Sequence, residues 1–160
     1  MAVDMFLELD GVKGESVDKT HKGKMDILSW GWGLSNSGTF HGGSGGGAGK
    51  PTFNDITITK YIDAASPNVM LFCANGKHFA KGKIIVRKAG ENPLEYLTVE
   101  FEKVLVTAYQ TGGGSGQERL TETVTLNFAK VKVEYTTQNE KGGKGTPLAF
   151  AWDISANVKA

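Results

Sequence analysis

A single cysteine, Cys73, stands among the 160 residues of this chain. One thiol cannot build an intramolecular disulfide framework, and the count suits a protein folded in a reducing cytoplasm. Net charge is equally scarce: 18 Lys and Arg oppose 17 Asp and Glu, leaving +1. A dedicated nucleic-acid surface would carry a basic excess or stripe, so that function class is excluded. No apolar run is long enough to span a bilayer. The opening MAVDMFLELDGVKGES places Asp4 and Glu8 where a secretory signal would carry a basic segment and then an apolar one. If the protein is exported, the expected route needs no cleaved signal.

What is present is a pattern of strands. At 17.1 kDa, with 39% hydrophobic and 22% charged residues, the chain has the size and composition of one ordered domain. Period-two alternation runs through 3–10, 26–35, 53–61, 83–89, 95–109, 121–135 and 148–155, rich in Thr, Val, Ile and aromatics. In 26-DILSWGWGLS-35, Leu28, Trp30, Trp32 and Leu34 are expected on one face. Ser29, Gly31, Gly33 and Ser35 are expected on the other, which is nearly bare. One segment departs from the rhythm. In 66-SPNVMLFCANGKH-78, Ser66 can cap, Pro67 suits the first turn and Gly76 a stop, predicting a short helix over about 66–76 with Val69, Met70, Phe72 and Cys73 as its apolar stripe. The expected fold is therefore mainly antiparallel β, a barrel or sandwich with one helix on its side.

Glycine is abundant and concentrated in connections at 41–49, 112–116 and 142–145. The run 40-FHGGSGGGAGKPTF-53 invites a phosphate-loop reading and fails it. Ser44 stands where the first glycine of that motif belongs, and Pro51 replaces its hydroxyl residue. A strand pattern, not a helix, follows at Phe53. A flexible, extended arm that meets a partner is the better reading of Phe40, His41, Gly42, Gly43, Ser44, Gly45, Gly46, Gly47, Gly49 and Lys50.

Other chemistries find no constellation. His21, His41 and His78, with Cys73, lack any recognised zinc spacing, so no metal or cofactor is expected. There is no G-x-S-x-G elbow, and Cys73 sits on the helix's apolar stripe. Glu100, Glu102, Glu118 and Glu122 read as solvated or interface charges rather than a hydrolase pair. Trp30 and Trp32 could stack on sugar, which would make the chain a monomeric carbohydrate- or ligand-binding β-sandwich, but their face is read as core. No enzyme activity is expected.

Along most of its length the chain resembles the Hcp family of type VI secretion inner-tube subunits. Stretches carrying the likeness include 1-MAVDMF-6, 18-DKTHKGKMDILSWGWG-33, 59-TKYIDAASPNVM-70, 84-IIVRKAGENPLEYL-97, 118-ERLTETVTLNFAKVKVEY-135 and 152-WDISANV-158. The resemblance implies one compact β-barrel of two packed antiparallel sheets over 1–160, with a side helix, an extended Gly-rich loop and no C-terminal effector extension. It implies six-membered rings stacked into a hollow tube inside a contractile sheath, tipped by a spike and propelled into another cell. Partners would be the chain itself, lumenal effector proteins that it holds and stabilises, and sheath and spike components, with neither nucleic acid nor membrane insertion. On that view Ser29, Gly31 and Gly33 are candidates for the lumen wall, and the glycine arm for contact between subunits or rings.

Overall fold

The computed structural model describes residues 3–43, 45–90 and 92–160. Its strands, in chain order, are β1 (Val3–Leu9), β2 (Met25–Asp26), β3 (Ser29–Gly31), β4 (Leu34–Ser35), β5 (Thr52–Phe53), β6 (Ile56–Tyr61), β7 (Phe79–Lys88), β8 (Leu94–Thr111), β9 (Thr121–Asn127), β10 (Lys130–Gln138), β11 (Lys144–Asp153) and β12 (Val158–Lys159). One helix, α1 (Ser66–Asn75), separates β6 from β7. The fold is mainly β with two packed antiparallel sheets and a side helix, as expected.

A first sheet runs β12-β11-β10-β8-β7-β1-β2, and a second joins β3, β6, β9 and the far half of β8. The 18-residue β8 serves both. Its first part pairs with β7 and β10, and residues from Leu105 onward pair with β9. The bend falls at Lys103, whose φ of 54° lies in the left-handed region, and a register shift follows between Val106 and Ala108. Such a bulge is how a strand turns a corner between crossing sheets. The segment 25–31 changes sheets similarly: β2 pairs β1 and β3 pairs β6, with Ile27 N donating to Met5 O and Leu28 N to Thr59 O. The predicted single strand 121–135 also splits, at Phe128 and Ala129, because Ala129 N bonds Glu102 O as the chain crosses back.

The core lies between the sheets. Leu7, Leu9, Ile84, Val99 and Phe101 from the first sheet meet Ile56, Ile58, Val106, Val124 and Leu126 from the second. Helix α1 closes one end through Val69, Phe72 and Cys73, with Phe72 edge-on to Phe79 at 4.6 Å between centroids. Met70 departs from the expected stripe and is exposed. Gly76 ends the helix at φ 70°, as the sequence predicts. Ser66 does not cap. Its hydroxyl is buried and donates to Glu122.

Candidate functional site

The second sheet's outward face is built from small and hydroxylic side chains. Strand register places Ser29, Thr59, Thr123 and Gln110 in one row, and Gly31, Thr57, Thr125 and Ala108 in the next. The alternate row, Trp30, Ile58, Val124 and Tyr109, faces the core. These two outward rows carry no charged group, and a Cβ on Gly31 would meet nothing within 4 Å. Gly33 stands apart, half-buried beyond β3, where its carbonyl accepts a hydrogen bond from Asn54 N at 3.0 Å. Of the three lumen-wall candidates, then, the fold brings Ser29 and Gly31 together on one face. Sequence reasoning missed the four threonines, although the Thr-x-Thr alternation in 57–59 and 121–125 carried the signal.

The arm is a hairpin rather than a slack strap. Its base pairs Leu34 with Phe53 and Ser35 with Thr52. Above that, Asn36 exchanges two side-chain hydrogen bonds with Gly49, at 2.8 and 2.9 Å, and Thr39 does the same with Gly47. Gly38 and Ala48 form a bridge between those two exchanges. Gly43 and Gly45 take φ of 82° and 98°, and a Cβ on Gly46 would lie 2.6 Å from Thr39 O, so glycine is required at these three positions. Phe40, His41, Gly42, Gly43 and Gly45 form the exposed tip, and Lys50 is exposed at the root. Ser44 lies outside the described residues. Phe40 is 79% exposed.

Beside the arm's root, the first sheet extends beyond its cover. On the face that elsewhere forms core, Tyr135, Leu148 and Phe150 of β10 and β11 are exposed, Leu148 at 59%. Leu34 joins them from the arm. A groove of about 490 Å³ lies here, lined by Leu34, Pro51, Phe53, Phe150 and Trp152 among others. Trp32, Phe53 and Trp152 stack in sequence at 6.2 and 6.4 Å. The indole Nε1 of both tryptophans is buried without an acceptor among the described residues. Trp30 and Trp32 pack on the core, as read from sequence, whereas Leu28 and Leu34 do not.

Ionisable groups elsewhere are tied into structure. On the outer face of the first sheet, Glu8, Lys83, Glu100 and Lys132 alternate across four strands, followed by Lys81, Glu102, Lys130 and Asp153. Glu122 corrects the expectation of a solvated carboxylate: it is fully buried, where Lys60, Ser66 and Tyr109 all donate to it. Burial, then the bond to Glu122, pushes the Tyr109 phenol far up. His21 is also buried; Lys24 Nζ donates to its Nδ1 at 2.9 Å, which fixes the proton on Nε2, facing Glu95. The buried groups among these satisfy one another.

Residues 6–135 match the family model for the type VI secretion system effector Hcp. The chain belongs to the Hcp family. Over 162 aligned positions it is 52% identical to Protein hcp1 of Pseudomonas aeruginosa, covering the whole of both chains. The crystal structure of Hcp1 from Salmonella typhimurium is 38% identical, again over all of both chains, with a TM-score of 0.84. A further type six secretion system protein superposes with a TM-score of 0.94 at 28% identity, covering 99% of this chain and all of that one. Hcp proteins are the structural tube subunits of type VI secretion and are themselves secreted. Among the described residues no helix is long and apolar enough to cross a membrane.

Proposed function

We propose that six copies of this Hcp subunit close into a ring, and that rings stack into a hollow tube propelled by a contractile sheath behind a spike. Its work is mechanical, not catalytic. Export follows from the machine, without a cleaved signal. The observation that carries this reading is the uncovered apolar face of Tyr135, Leu148, Phe150 and Leu34. Several large apolar side chains left together by a folded monomer mark a surface that another protein covers. Copies that cover this face with a different surface of the next copy assemble head to tail, the geometry that generates rings.

The wall of Ser29, Gly31, Thr57, Thr59, Thr123 and Thr125 then faces the lumen. Flat, neutral and hydroxylic, it accepts unlike effector proteins without committing to one charge pattern. A sugar-binding reading of Trp30 and Trp32 is not favoured, because both rings are spent on core packing. Solution mass combined with negative-stain imaging tests the assembly. Six-membered rings are expected, and Leu148→Asp should release folded monomers. A wild-type protein that stays monomeric at high micromolar concentration overturns the reading.

A further inference from the structure

We infer that the aromatic groove at the root of each arm receives the arm tip, Phe40 with its flanking glycine backbone, of a second copy of the chain. The inference rests on the self-assembly just proposed and assigns the contact within it.

Two unsatisfied surfaces on the same molecule match in chemistry. The donor of the contact is a protruding hairpin with Phe40, 79% exposed, as the large apolar side chain of its tip. The segment 34–53 contains no acidic residue, and its tip offers backbone carbonyls with little side-chain cover. The receiver is the groove of about 490 Å³ over Phe53 and Trp152, walled by Leu34 and Phe150. Its lining is mainly apolar, with Asn36, Lys50 and Asn157 as the polar members, and it is roomy enough for a phenyl ring.

The tip cannot fill its own groove. Five extended residues beyond Ser35 carry Phe40 up to about 17 Å from the base, and the Asn36–Gly49 and Thr39–Gly47 exchanges hold the hairpin out. Folding back would break all four bonds. The occupant must therefore come from another molecule. Because tip and groove are distinct surfaces, each copy gives one contact and receives one, so the contact propagates from copy to copy. The glycines serve this directly: side chains at Gly43, Gly45 or Gly46 would block the close approach or the turn that presents Phe40.

Incorporating p-benzoylphenylalanine at position 40 keeps an aromatic ring there, extended by a benzoyl group, and allows light-driven crosslinking of the full chain. Imaging first establishes whether assemblies form. Crosslinks mapping by mass spectrometry to residues 34, 51–53 or 150–152 of another copy support the contact. Assemblies that form while the crosslinks map elsewhere, or fail to appear, overturn it and leave the ring reading standing. Absence of any assembly in the wild-type chain overturns both. As a second measure, Phe40→Ala should raise the concentration needed for half-assembly at least tenfold without changing the monomer's melting temperature. An unchanged midpoint would count against the inference.

Discussion

Lys60 and Glu122 face each other across the β6–β9 ladder with both side chains wholly excluded from water. Lys60 Nζ also reaches Asp63 Oδ1 at 2.9 Å and Tyr61 O at 3.0 Å, while Glu122 takes the hydroxyls of Ser66 and Tyr109. The pair thus bolts the start of α1 to the second sheet. Removing one partner leaves a buried charge alone, so Lys60→Met or Glu122→Leu should each cost about 3–5 kcal/mol. The double variant Lys60→Met with Glu122→Leu should cost much less than the sum of the single changes. Urea unfolding of the four proteins measures this, and strictly additive losses would contradict it.

A second prediction concerns acid. The Arg87 guanidinium, bonded to Asp18 and assisted by the backbone amides of Thr20 and His21, holds the Asp18 carboxyl down at about 2 against an ordinary 3.8, despite some burial. A depressed carboxyl stabilises the fold above its unfolded value, and that contribution disappears as pH falls from 3.8 through about 2. Asp26 works in the opposite sense, since burial and neighbouring Asp18 and Asp63 raise it. The melting temperature of Arg87→Met should lie below wild type at pH 5, and the gap should narrow toward pH 2. A constant gap across that range would refute the assignment.

Gly82 supplies a packing test. It sits in the first sheet beneath the Phe101 ring and against Leu9, and an added Cβ would overlap Phe101. Gly82→Ala should therefore destabilise by about 1–3 kcal/mol through overpacking, despite alanine's better fit to a strand. Thermal unfolding decides the sign.

Gly31 behaves differently. Open space surrounds its missing Cβ, so Gly31→Arg should leave melting and ring formation unchanged. It should reduce co-purification of a lumenal effector severalfold. Undiminished cargo would remove Gly31 from the wall.

The arm can be cut without touching the core. Its hydrogen bonds above β4 and β5 are internal to the hairpin. Deleting 42–49 should keep the circular-dichroism spectrum and the melting temperature close to wild type while weakening ring assembly or stacking, as sedimentation will report. Normal rings and tubes from the deleted chain would refute a role in contact.

Legibility in the sequence followed the phase of burial. Alternation identified most strands, yet three corners were read through. At each corner the buried positions step by three rather than two: Ile27 to Trp30, Phe101 to Val104, and Phe128 to Val131. That slip flips the strand's face as it changes sheet, which is why Leu28 and Trp30 do not share a side. Glu122 was misread because its neighbours Thr121 and Thr123 are polar, and a charge within such a run looks solvated until its partner, Lys60, is placed opposite. The hydroxyl face was half visible. Ser29 and Gly31 lie within one stretch, but the threonines that complete their rows arrive from β6 and β9, joined only by pairing.

The shared strand β8 has a mechanical meaning. Because one unbroken backbone belongs to both layers, turning at Lys103 and the bulge just after it, the layers cannot shear apart by breaking hydrogen bonds alone. Sliding one against the other must also pull on covalent chain. Load applied to the charged exterior would then reach the neutral interior along β8, and a subunit driven forward from outside would move as a single body.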